Sequence, residues 1–213
     1  MIKGSEGDGT SHDRRQEILD AAFHELMARG FAGTTMLAVA RRARASKETV
    51  YALFGSKEKL FEALVHSRSD RMRAALIPAT AGAATDPAGI LTRFAIDFLE
   101  LATDPGTIAV RRLAIAEAER SPELGRILDR AGRAPVRSSL IAYLNLARDA
   151  GRLAFDTAEE AATVFMSLIL SHLMLPLLEN LRPPPTPEAI RRHAGRSVAL
   201  FMILFGPGQD PGS

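Results

Sequence analysis

Apolar residues recur along this chain at intervals of three and four, and no stretch alternates as a half-buried strand would. Ile18, Ala22 and Leu26, flanked by Leu19, Phe23 and Met27, fall on one face of a helix expected over about 13–29. Asp13 is its expected N-cap, and Gly30, just past the last apolar residue, its stop. Thr34 or Thr35 caps a short second helix whose inward positions are Leu37, Val39, Ala40 and Ala43, with Arg41 and Arg42 outward. Arg44, Ala45 and Ser46 read as a tight turn. Ser46 then caps a third helix that turns Val50, Leu53 and Phe54 inward and leaves Lys47, Glu48, Thr49 and Tyr51 outside. Gly55 ends it, and Ser56 caps a fourth helix carrying Leu60, Phe61, Leu64, Val65, Met72 and Leu76 up to Pro78. That helix is roughly 20 residues, or about 30 Å, long.

The pattern continues after a loop of small residues at 79–85. Asp86 and Pro87 start a helix through Ile90, Phe94, Ile96, Phe98 and Leu101, and Asp104, Pro105 and Gly106 turn the chain into another over 107–120. A short helix follows Ser121 and Pro122, with Leu124, Ile127 and Leu128. The next, over 135–150, has Leu140, Tyr143, Leu144 and Ala147 inward and stops at Gly151. Asp156 or Thr157 caps the following helix, and Thr186 with Pro187 starts the last, which runs to Phe205. The expected fold is all-α: a three-helix helix-turn-helix domain at 13–59, behind a disordered arm at 1–12, and a larger helical domain at 60–213.

Over 164–178 the apolar residues surround the helix, and such a helix is buried on every side or crosses a membrane. A span needs about 20 apolar residues, and Ser167, Ser171, His172 and Pro176 interrupt this run. Pairing the helices around 157–181 and 187–205 with their copies in a second subunit buries both faces, which predicts a twofold homodimer.

Composition narrows the chemistry. The chain has no cysteine, which excludes disulfides, thiolate metal sites and cysteine nucleophiles and fits a reducing compartment. The polar, glycine-rich start holds no apolar core of a signal peptide. Net charge is only +2, but between positions 41 and 59 six bases stand against two acids. Local positive charge of this kind attracts phosphate, although a solvated basic face has the same composition. No phosphate-cradling glycine loop, H-E-x-x-H motif or nucleophile elbow is present, so an enzyme is not expected. No cofactor is expected, nor a metal, because His172 has no His or Glu partner at ligand spacing.

Two short helices joined by a tight turn, the second basic at its start, form a device for placing a helix end in the major groove of DNA. Residues 14–60 resemble the N-terminal module of the tetracycline-repressor family of bacterial transcription regulators. The resemblance rests on Ile18, Leu19, Ala21, Ala22, Gly30, Phe31, Thr34, Thr35, Val39, Ala40, Ala43, Ser46, Thr49, Tyr51, Phe54, Ser56, Lys57, Glu58 and Leu60 in one register. The remaining residues resemble the family in helix number and size, with Ala116–Ala118 and Ser121–Leu124 as local echoes.

The resemblance implies a ligand-released repressor that binds near-palindromic double-stranded DNA in the bacterial cytoplasm. It implies DNA contacts by Thr34, Thr35, Arg44, Ser46, Lys47, Glu48, Thr49, Tyr51 and Lys57. It also implies a small apolar or amphipathic inducer among Phe94, Phe98, Arg111, Tyr143, Met166, His172 and Met174, each equally readable as plain core. Arg44 stands where the family usually has glycine, Glu48 where a small residue is common, and Leu53 where histidine or an aromatic is frequent. If position 44 needs a positive φ, arginine costs about 1 kcal/mol there relative to glycine. A helix-turn-helix adaptor that binds protein and not specific DNA is the alternative.

Overall fold

The computed structural model describes residues 7–76, 86–170 and 172–207, and the regular elements of the described part are all helices, with no strand. The arm at 1–6, the loop at 79–85, the tail at 208–213 and the side chains of Met72 and Leu76 lie outside the described residues.

The chain forms two compact units. One holds the residues up to Ser67 together with Arg112–Ala131, the other Arg68–Arg111 and everything from Gly132 on. These units differ from the expected division at 59/60 in that the segment at 112–131 groups with the N-terminal helices.

In the first unit, α1 (Gly7–Gly33) starts six residues ahead of the expected Asp13 cap, so 7–12 is helix and not an arm. Extending a formed helix adds one hydrogen bond for each residue fixed, so the packed segment from Ile18 carries its upstream turns. Gly30 breaks the helix as expected, with φ 68° and ψ 178°. Thr35, not Thr34, caps α2 (Met36–Arg42) by accepting from Ala38 N at 3.1 Å. Met36, Val39 and Ala40 form the inward face, and Leu37, one position out of that register, is 43% exposed where it was expected inside. Ser46 caps α3 (Lys47–Phe54), and Gly55 closes it at φ 74°. α4 (Lys57–Leu76) contributes Leu60, Phe61, Leu64 and Val65 to this core, with Phe61 edge-on to Phe31.

In the second unit, α5 (Pro87–Thr103) is capped by Asp86 and buries Leu91, Phe94, Ala95, Phe98, Leu99 and Ala102. α6 (Pro105–Ala116) starts on Asp104, whose Oδ2 accepts from Thr107 N and from Arg68 Nη1, each at 2.9 Å. α6 stops at Ala116, four residues short of the expected end. α7 (Glu123–Ile127), which belongs to the first unit, does not end before the next helix: a π-helical turn, Leu128–Arg133, joins it to α8 (Ala134–Asp149). The wide turn lies just ahead of Pro135, which cannot donate to the carbonyl one α-turn back.

The single helix expected at 157–181 is two, α9 (Ala158–Leu170) and α10 (Met174–Leu178). Pro176 would clash with the carbonyl of residue 172 in an unbroken helix, whereas in the first turn of α10 its missing N–H costs nothing. α11 (Pro187–Phe205) is capped by Thr186 and packs Ile190, Ala194, Val198 and Phe201 onto α5 and α9. The core is a string of rings, Phe98 on Phe94, Phe94 on Phe165 and Phe165 on Phe201, with Tyr143 beside them.

Candidate nucleic-acid interface and sensing core

The exposed end of α3 is built by its cap. Ser46 Oγ accepts from Thr49 N at 3.0 Å and lies 2.9 Å from Thr49 Oγ1, which satisfies donors that a helix start leaves open. Lys47 and Glu48 are exposed. Lys47 Nζ stands 5.5 Å from the centroid of the Tyr51 ring, which is itself 44% exposed, so a cation and an aromatic face project together. Arg44 takes φ 51°, the left-handed conformation that glycine serves elsewhere. Arg14 Nη2 donates to the Arg44 carbonyl at 2.8 Å and ties this turn back to α1.

Two expected contacts stand differently. Thr34 is buried, its hydroxyl donating to Gly30 O at 2.7 Å, so it serves the fold behind the cap and is not presented outward. Lys57 is half-buried, donating to Phe31 O at 2.7 Å with its ammonium 4.3 Å from the Phe31 ring centroid. It fastens the start of α4 to the segment after Gly30, and its free donors face outward only in part.

Sequence reasoning missed Glu25. It lies seven residues after Ile18 on the apolar face of α1, and its side chain is only 6% exposed. Arg42 Nε donates to Oε1 at 2.7 Å; Arg29 Nε stands 3.0 Å from Oε2 but off the line of a hydrogen bond. The Arg42 hydrogen bond holds the Glu25 carboxyl below the usual glutamate range, against the opposing effect of burial. A cleft of about 600 Å³ runs along these residues with Thr35, Leu37 and Arg41. The signal was present in the sequence as a carboxylate on an apolar stripe, which must find cations.

In the second unit, Phe94, Phe98 and Tyr143 belong to the buried cluster, and Met166 and Met174 pack against it. The Tyr143 side chain is fully buried and its hydroxyl has no hydrogen-bond partner among the described residues. Burial pushes its pKa up to about 12, with the Asp86 carboxylate adding to the effect. Arg111 is half-buried. Its pKa is lowered by desolvation first and by the nearby Arg133 second. His172 is exposed, not enclosed in an apolar helix: it lies between the end of α9 at Leu170 and the start of α10 at Met174, and its ring meets His193 edge-on at 5.5 Å. His193 Nε2 in turn lies 2.9 Å from Ile169 O. Among the described residues, no group of His, Cys, Asp or Glu is arranged to hold a metal, and no helix is long and apolar enough to cross a membrane.

Residues 18–64 match the family described as bacterial regulatory proteins of the tetR family, and residues 89–207 match the C-terminal domain of AefR-like transcriptional repressors. The chain belongs to the TetR family. TetR-family membership makes it a DNA-binding, ligand-responsive regulator of transcription and not an enzyme, in a family that functions as dimers. The HTH-type transcriptional regulator BetI of Rhizobium meliloti (strain 1021) is 32% identical over 148 residues, covering 68% of this chain and 72% of that protein. A TetR-family regulator from Mesorhizobium loti MAFF303099, solved by crystallography, is 27% identical with TM-score 0.77 over 92% of this chain and 98% of its own. The flavonoid-responsive regulator FrrA is 30% identical with TM-score 0.73, over 93% and 100% respectively.

Proposed function

We propose that this TetR-family chain is a homodimeric repressor that reads a near-palindromic operator through α3 and leaves it when a small apolar or amphipathic molecule enters the second unit. The Ser46-capped α3, with Lys47 and Tyr51 projecting as a pair, carries the reading. Lys47, Glu48, Thr49 and Tyr51 are the base-edge and backbone contacts, supported by Thr35, Arg44, Ser46 and a partial share of Lys57. Two such ends about one DNA turn apart, roughly 34 Å, match a twofold site.

Dimerisation rests on the outer faces of α9 to α11. α11 buries one side in its own core yet leaves Leu200, Ile203 and Leu204 exposed on the other, and Leu175 of α10 is exposed as well. A second copy related by twofold symmetry covers such a face. The inducer reading rests on Tyr143, a buried hydroxyl without a partner amid Phe94, Phe98, Met166 and Met174, where a ligand acceptor would satisfy it. Arg111 is the remaining candidate at that site, and His172 drops out on its exposure. A protein of this kind works beside DNA, in the bacterial cytoplasm.

The test is a footprint on the DNA upstream of the protein's own gene, repeated with a small-molecule panel that includes flavonoids. Lys47→Ala and Tyr51→Ala are expected to abolish the footprint while helix content and dimer mass stay unchanged. Wild-type affinity in either variant would remove the assignment of α3.

A further inference from the structure

Glu25, Arg29, Arg41 and Arg42 form a cluster that the recognition helix does not use. Glu25 is nearly enclosed, and both arginines meet it through Nε. The terminal nitrogens of Arg29 and Arg42 consequently have no partner among the described residues, and these side chains are 62% and 46% exposed. Arg41 is exposed and has no side-chain partner among the described residues. Three guanidinium groups against one carboxylate leave the cleft wall positively charged. The low carboxyl pKa of Glu25 keeps the pairing intact at neutral pH.

The buried carboxylate accepts a hydrogen bond from Arg42 Nε and pairs with Arg29 Nε at 3.0 Å, which leaves the other edge of each guanidinium turned away from it, and that planar fork matches a phosphate in geometry and charge. The location fits DNA. In a helix-turn-helix the helix ahead of the recognition helix crosses the phosphate backbone, and the cleft runs along that helix, α2, past its capping Thr35.

We infer that this cleft is a DNA contact separate from α3, in which Arg29, Arg41 and Arg42 bind backbone phosphate and Glu25 is the positioning residue that aims two of them outward. The occupant is the sugar–phosphate backbone of duplex DNA, so the contact is independent of base sequence.

The experiment follows binding of the full-length dimer to a fluorescein-labelled duplex of random sequence by anisotropy across a potassium chloride series. Arg41 is exposed, so Arg41→Ala is expected to stay folded. The loss of one phosphate contact in each subunit makes the slope of log K against log salt shallower by about 1.8 per dimer. Glu25→Gln adds one positive charge to the cleft, and simple attraction would tighten binding. The positioning role requires the opposite, a loss of roughly tenfold, the size of one charged hydrogen bond. If Glu25→Gln melts below the assay temperature, Arg42→Lys replaces it, keeping the charge but not the fork, with the same loss expected. A wild-type salt slope in Arg41→Ala overturns the phosphate site. Unchanged or tighter binding in folded Glu25→Gln, or in Arg42→Lys, overturns the positioning role.

Discussion

Tyr143→Phe is expected to stabilise this protein, contrary to the usual effect of a core substitution. The ring sits at the centre of the second unit, fully buried, and its hydroxyl meets no partner among the described residues. An unsatisfied buried hydroxyl costs about 1–3 kcal/mol, and phenylalanine removes it while keeping the ring's shape and contacts. In a chain of this length each kcal/mol moves the melting temperature by about 2–4 °C. Urea denaturation at neutral pH then gives a higher midpoint for the variant with the same slope.

The pH dependence adds a second signature. Tyr143 is raised from 10.0 to about 12 in the folded state, so the fold favours the protonated form. That contribution is complete below pH 10 and is lost as pH rises toward 12, in the wild type only. The gap between the two proteins therefore widens above pH 10. The same substitution deletes a donor from the proposed inducer site, so release from DNA by an inducer should weaken as stability rises. A variant less stable than wild type, or no more stable, would refute the reasoning by showing that the hydroxyl already has its hydrogen bond.

The other expectations concern the dimer and the turn. Ile203→Asp places a carboxylate in the proposed α11 interface at a cost on the order of several kcal/mol; sedimentation should show a folded monomer that no longer binds the operator, and an intact dimer would move the interface elsewhere. Arg44→Gly relieves a left-handed conformation worth about 1 kcal/mol but frees the unfolded chain by nearly as much, so stability should change by less than about 1 kcal/mol. A larger loss in thermal melts would give the Arg44 side chain a packing role.

Much of the fold was legible because helix ends carry local chemistry. Ser46, Asp86 and Thr186 cap where their sequence context places them, and Gly30, Gly55 and Gly151 adopt the positive φ that their positions ask for. The failures have a common cause, a choice settled by packing and not by neighbours in sequence. Thr34 and Thr35 are equivalent as caps until Thr34 is buried against Gly30. The apolar run at 164–178 reads as one helix until Pro176 forces a new start, which carries His172 to the surface. Glu25 reads as a surface acid unless its place on the apolar stripe is weighed above its charge. At the sensing core, the aromatic residues could be named from spacing, whereas the orphaned hydroxyl of Tyr143 could not.

The π-helical turn at Leu128–Arg133 has a consequence for helical phase. Leu124, Ile127 and, within the turn, Ala131 are buried at the usual three- and four-residue steps, yet the next buried residue is Val136, five further on. The seam between the two units falls within this turn, between Ala131 and Gly132. The wide turn thus shifts the spacing of buried positions along the chain by a single residue. Removing one residue from the turn would return the step between Ala131 and the next buried residue from five to four, the α-helical interval. Chain length is thus constrained in a turn that also carries Arg130, ion-paired with Glu62 and Glu123.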